Sequence, residues 1–162
     1  MEMTHKLIYE SRASTIIYNV LKTQQFSNIV LLPSNICPVV PLTLLKADVK
    51  YEFVDISLKS YLIDTEKVIT RLKQNPRVSS LIFVRTYGYM ANYESFFRKI
   101  KEISPSLFVI DDRCLCKPIF DPNFTSHADL VLFSTGYAKY ADIGYGGYSY
   151  LKSSYQYQRA NL

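Results

Sequence analysis

The sequence predicts an α/β protein: a three-layer sandwich with a seven-stranded, mostly parallel sheet whose last strand is antiparallel. Three observations carry this reading. Short β-branched runs alternate with segments whose apolar residues recur at helical spacing. The interior runs are apolar throughout, as strands covered on both faces should be. The final run follows a Gly-rich loop rather than a crossover helix, so nothing forces it to lie parallel.

Residues 6–10 form a short strand. Ser11 then serves as a plausible N-cap for a helix in which Ala13, Ile16, Ile17, Val20 and Leu21 share one face. Residues 28–32 are a continuous apolar strand stopped by Pro33-Ser34-Asn35. Residues 37–46 predict a helix with Pro38 near its start and Pro41 within it. Residues 51–54 make a strand that ends at Asp55. Asp64 caps a helix that carries Val68, Ile69 and Leu72 inward. Residues 79–84 are a buried strand, and Tyr93, Phe96, Phe97, Ile100 and Ile103 face the core from the next helix. A strand over 106–110 ends in Asp111-Asp112, another over 129–133 ends in Ser134, and 147–151 alternates as the last strand.

Composition narrows the function. The 162 residues fit one domain, on a prior of about 100–200 residues per domain. With 48% hydrophobic and 20% charged residues the chain is globular rather than disordered. The net charge of +5 favours anionic partners such as phosphates, nucleotides or nucleic acid. It does not make a nucleic-acid stripe, because Arg98, Lys99 and Lys101 are interleaved with Glu94 and Glu102. Glu94 and Arg98 stand at i,i+4 spacing, which reads as a solvated helix face. Cys114 and Cys116 form a C-x-C pair far from both histidines, so neither a zinc site nor a disulfide framework is expected. Reduced thiols, no signal-like start and no membrane-spanning run point to the cytoplasm.

Ligands of open α/β sheets bind beyond the carboxyl ends of the strands. Ser11 and Arg12 open a helix there, and read either as an ordinary helix start or as a phosphate seat. Asp111-Asp112 read either as turn residues or as one carboxylate facing the crevice and one capping a loop. No third metal ligand accompanies them. Ser134 and Lys139 follow the next strand; the lysine is either a surface residue or an amine nucleophile for carbonyls. Gly144, Gly146 and Gly147 do not have dinucleotide-fingerprint spacing, and they precede a strand.

Taken in order, these segments resemble the DegT-type sugar aminotransferases of the fold-type I pyridoxal-phosphate (PLP) enzymes. The likeness runs from about residue 6 to 152 through 31–40 (LLPSNICPVV), 50–56 (KYEFVDI), 83–88 (FVRTYG), 107–112 (LFVIDD), 133–139 (FSTGYAK) and the glycines at 144, 146 and 147. The resemblance implies PLP as cofactor, with Lys139 as its covalent anchor and proton carrier. It implies that Asp112 pairs with the pyridinium nitrogen and Ser134 with the phosphate. Ser11, Arg12 and Ala13 match the phosphate loop. Three positions depart from the pattern: Leu115 stands where Gln or His touches the ring oxygen, Cys37 where an aromatic stacks on the ring, and Ser11 where a small glycine is usual. The implied reaction moves an amino group, with glutamate as donor, to a keto-sugar nucleotide in polysaccharide or glycoconjugate synthesis. The implied assembly is a homodimer, without nucleic acid or membrane. Family members continue into a C-terminal small domain, so residues 1–162 are expected to be a large cofactor domain alone. The alternative is a truncated, non-catalytic member that keeps the fold and PLP binding.

Overall fold

A computed structural model describes residues 4–25 and 28–160. The strands are β1 (His5–Glu10), β2 (Ile29–Pro33), β3 (Tyr51–Val54), β4 (Val78–Val84), β5 (Phe108–Asp112), β6 (Leu130–Ser134) and β7 (Gly147–Lys152). The helices are α1 (Ala13–Gln24), α2 (Val39–Lys46), α3 (Thr65–Gln74) and α4 (Glu94–Ile103). All seven strands join one sheet in the order β1-β7-β6-β5-β4-β2-β3. β2 through β6 pair in parallel, while β7 runs antiparallel to both β6 and β1. The expected three-layer sandwich with a reversed last strand is therefore the observed fold. Its physical origin is the connection over 135–146, which holds no helix and returns the chain along the same edge.

The two faces of the sheet carry separate cores. Ile16, Ile17, Val20 and Leu21 of α1 and Leu44 of α2 pack on Val30, Leu32, Ile82, Ile110 and Leu132. On the other face, Val68 and Leu72 of α3 and Phe97 and Ile100 of α4 pack on Leu31, Leu81, Phe83, Val109 and Val131. Adjacent Leu31 and Leu32 are both fully buried because β2 is covered on both sides. Each such side chain contributes roughly 1.5–3 kcal/mol of transfer free energy. Asp64 caps α3 as expected, accepting from the N–H groups of Glu66 and Lys67. A segment after β7 straps α1 in place: Tyr157 Oη accepts from Asn19 Nδ2 at 3.0 Å and donates to Glu10 at 2.9 Å.

On α4, Glu94 turns back from the solvent to accept from Ser126 Oγ at 2.8 Å and from the His127 N–H at 2.6 Å. One expectation needs correction: that the Asp111-Asp112 pair lies beyond β5. The strand continues through both residues, pairing Asp111 with Phe83 and Asp112 with Val84.

Strand alternation then sends the two carboxylates to opposite faces. Asp111, fully buried, accepts from Arg85 Nε at 2.7 Å and Nη2 at 3.0 Å, and from Arg113 Nη2 at 2.7 Å. It caps no loop. The Arg85 guanidinium lies 5.2 Å from the Phe83 ring centroid, 5.0 Å from Tyr93 and 5.9 Å from Phe97. The Ala91 carbonyl takes a further guanidinium N–H. Removing the carboxylate leaves two buried cations without a counterion. Asp111→Ala should cost about 3–5 kcal/mol in urea unfolding; a loss below about 1 kcal/mol would show that the network holds nothing.

Candidate active site

The carboxyl edge of β5 and β6 opens into a crevice of about 370 Å³. Its walls include Arg12, Ala13, Cys37, Asp112, Ser134 and Lys139, so six of the sequence-expected residues meet there. They come from α1, the turn before α2, the ends of β5 and β6, and the loop that follows β6. Ser11 and Leu115 are not among the lining residues.

Ser11 is also not the N-cap of α1. Arg12 holds that position with extended backbone, and no side chain caps the first turn. The reason lies in β7: the Ser11 carbonyl accepts the Gly146 N–H at 2.8 Å, and Arg12 bridges to Gly146. Ser11 is thereby committed to the sheet edge. Gly147 allows this approach, since a Cβ there would sit 2.5 Å from the Ala13 nitrogen. Gly146, at φ +98°, turns the chain into that contact. The result is an uncapped helix N-terminus at the crevice, with the positive end of the dipole available to an anion.

Leu115 leaves the crevice because the chain turns sharply after β5. Asp112 Oδ1 accepts the Cys114 N–H at 2.9 Å, and the Arg113 carbonyl accepts the Cys116 N–H at 2.9 Å. Cys114 then faces the crevice, whereas Leu115 is exposed. The Leu115 carbonyl closes over Gly88, where a Cβ would lie 2.7 Å away.

Asp112 is 6% exposed. Burial raises its carboxyl above the usual carboxylate value; the Cys114 contacts and the charge of Lys139 oppose that rise. Burial, with Asp112 beside it, pushes the Cys114 thiol well above its ordinary range. Both effects favour the neutral thiol over the thiolate. Ser134 ends β6 opposite Gly147, and its hydroxyl accepts the Gly136 N–H at 3.3 Å. The site combines an uncapped helix N-terminus, a buried carboxylate, a hydroxyl and an amine around one cavity. Sequence reasoning missed Ser14, Cys114, Tyr137 and Tyr145 in the walls. Tyr137 lies between Ser134 and Lys139 and Tyr145 inside the glycine cluster, and that proximity was the available signal. All three cysteines are free thiols. Among the described residues no group of three or more His, Cys, Asp or Glu could hold a metal, and no helix is long and apolar enough to cross a membrane.

The fold, a parallel sheet with one reversed strand, is shared with part of several solved aminotransferases, DegT-type enzymes among them. A DegT/DnrJ/EryC1/StrS aminotransferase from Brucella abortus superposes with TM-score 0.76 at 20% identity, over 93% of this chain and 43% of that one. A sugar aminotransferase from Micromonospora echinospora gives 0.73 at 15% identity, over 90% and 41%. NtdA from Bacillus subtilis, solved with bound cofactor PMP, gives 0.75 at 21% identity, over 91% and 33%. The chain therefore spans about two-fifths or less of the length of these structures. No protein-family model matches the sequence, and no curated protein matches it.

The Asp112 environment makes a stability prediction. Its proton is held more tightly in the folded chain than in the unfolded one. Its contribution to stability is therefore full below the unfolded carboxylate value and is lost as pH rises through the folded value. Asp112→Asn keeps an acceptor for Cys114 and removes the titration. Urea midpoints of the variant and the parent should coincide in acid, with the variant higher at neutral pH. A variant that is less stable at neutral pH would contradict the burial argument.

Proposed function

We propose that this chain is the cofactor-binding large domain, residues 1–162, of a PLP-dependent aminotransferase. The observation that carries the reading is the convergence of the open α1 N-terminus, Asp112, Ser134 and Lys139 on one crevice. These residues fit the group. The uncapped N–H groups of α1, with Ser134, suit a phosphate. Asp112 suits a protonated ring nitrogen: a cation opposite it restores the ionised carboxylate that burial disfavours. Lys139 supplies the amine that anchors the aldehyde, and its Nζ takes and returns the proton at the substrate carbon. When bound, PLP supplies an electron sink for that proton transfer.

The substrate class we infer is a keto-sugar nucleotide, with glutamate as amino donor, in polysaccharide or glycoconjugate synthesis. The net charge of +5 and the likeness to a solved sugar aminotransferase support this. A homodimer is part of the reading. Tyr137, Tyr140, Ile143 and Tyr145 project from the crevice loop at 63–85% exposure, an apolar rim suited to cover by a second subunit. Free thiols suit a cytoplasmic setting. A second reading, a domain that holds PLP without turnover, is favoured by one observation: Leu115, where the resemblance implies a hydrogen-bonding residue for the ring, is apolar and lies outside the crevice.

Added PLP should give a visible absorbance, and borohydride should fix it to Lys139 as read by peptide mass spectrometry. Lys139→Ala should abolish the fixation and slow the glutamate half-reaction about 10²–10⁴-fold. Unchanged absorbance and affinity in that variant would refute the assignment. Conversion of the bound cofactor to its amine form by glutamate selects the enzyme; a cofactor that glutamate leaves unchanged selects the second reading.

A further inference from the structure

We propose that Asp142 is the positioning residue for Lys139, holding the loop that presents the amine to the crevice. The inference rests on the reading of Lys139 as the cofactor anchor. The loop over 135–146 has no regular secondary structure, so something must fix its path. Its base is closed by Thr135, whose N–H donates to the Gly146 carbonyl at 3.1 Å and whose Oγ1 donates to the Tyr145 carbonyl at 2.8 Å. The Thr135 carbonyl accepts the Ile143 N–H at 3.0 Å. These bonds fix the neck and leave the tip, where Lys139 stands, to be ordered separately.

Asp142 orders it. Its Oδ2 accepts the Ala138 N–H at 2.8 Å and its Oδ1 accepts the Gly144 N–H at 2.8 Å. One carboxylate thus ties the residue before Lys139 to Gly144, and Lys139 and Gly144 both line the crevice. Ala138 sits at φ +58°, a conformation that side chains other than glycine rarely adopt, so the loop does not reach this shape by local preference. The bond from the Lys139 N–H to the Gly136 carbonyl, at 3.3 Å, is long and closes only the turn below it. A charged acceptor on each side of the tip is the stronger restraint. Asp142 is exposed and fills no core space, so its loss removes the restraint without opening a cavity.

The test compares the parent chain with Asp142→Ala and Asp142→Asn. In the cofactor-free chain, amide hydrogen exchange at Ala138 and Gly144 should speed up about tenfold in Asp142→Ala, with circular dichroism and melting unchanged. At saturating PLP, the fraction that borohydride fixes to Lys139 in a short pulse should fall on the order of tenfold to a hundredfold. Asp142→Asn retains one acceptor oxygen and should fall between the two. Exchange unchanged in Asp142→Ala overturns the proposal, as does faster exchange with parental fixation. If the parent chain itself fixes no PLP at Lys139, the functional reading fails and the positioning role goes with it; the exchange result separates the two failures.

Discussion

Strand alternation at the end of β5 places two neighbouring carboxylates on opposite sides of one sheet, and the rest of the site depends on it. Asp111 goes to the α3–α4 side, where Arg85 and Arg113 neutralise it. Asp112 goes to the α1 side, into the crevice. A one-residue slip of β5 would exchange them, burying Asp112 against the guanidiniums and leaving Asp111 in the crevice. The bidentate pair with Arg85 at the end of β4 opposes that slip across the strand pairing. The aromatic rings around Arg85 help a buried cation stand there at all.

The reversal of β7 is the second half of the same design. A crossover helix after β6 would carry the chain away from the sheet edge. The compact loop over 135–146 instead stays above it, so Lys139 is delivered beside Asp112. The same reversal brings Gly146 and Gly147 against Ser11 and Ala13, which leaves α1 uncapped toward the crevice. Topology and site are therefore coupled: the antiparallel strand shapes both the α1 end and the Lys139 end of the crevice.

Much of this was legible in the residues. Apolar runs such as 79–84 announce strands covered on both faces, and helix α3 was readable from Asp64 and its apolar face. Ser134 ends its strand as read, and the resemblance, rather than periodicity, singled out Asp112 and Lys139. What failed did so where a long-range partner decides. The role of Asp111 depends on Arg85, 26 residues away, so a local reading could only treat it as a turn residue. Ser11 has good N-cap chemistry, but Gly146, distant in sequence, claims its backbone. The resemblance matches Leu115 to a residue that touches the ring, and the turn anchored by Asp112 turns it away from the crevice. Asp142 carried no motif, because its meaning lies in a loop shape that periodicity does not encode.

The proposed function requires one crevice to bind PLP between the α1 N-terminus, Asp112 and Lys139. A crystal structure of the chain grown with PLP tests it most directly. The predicted density joins the cofactor to Lys139 Nζ, sets the ring nitrogen within hydrogen-bond distance of Asp112, and lays the phosphate on the first turn of α1 beside Ser134. Density for PLP at another lysine, or a ring turned away from Asp112, would contradict it.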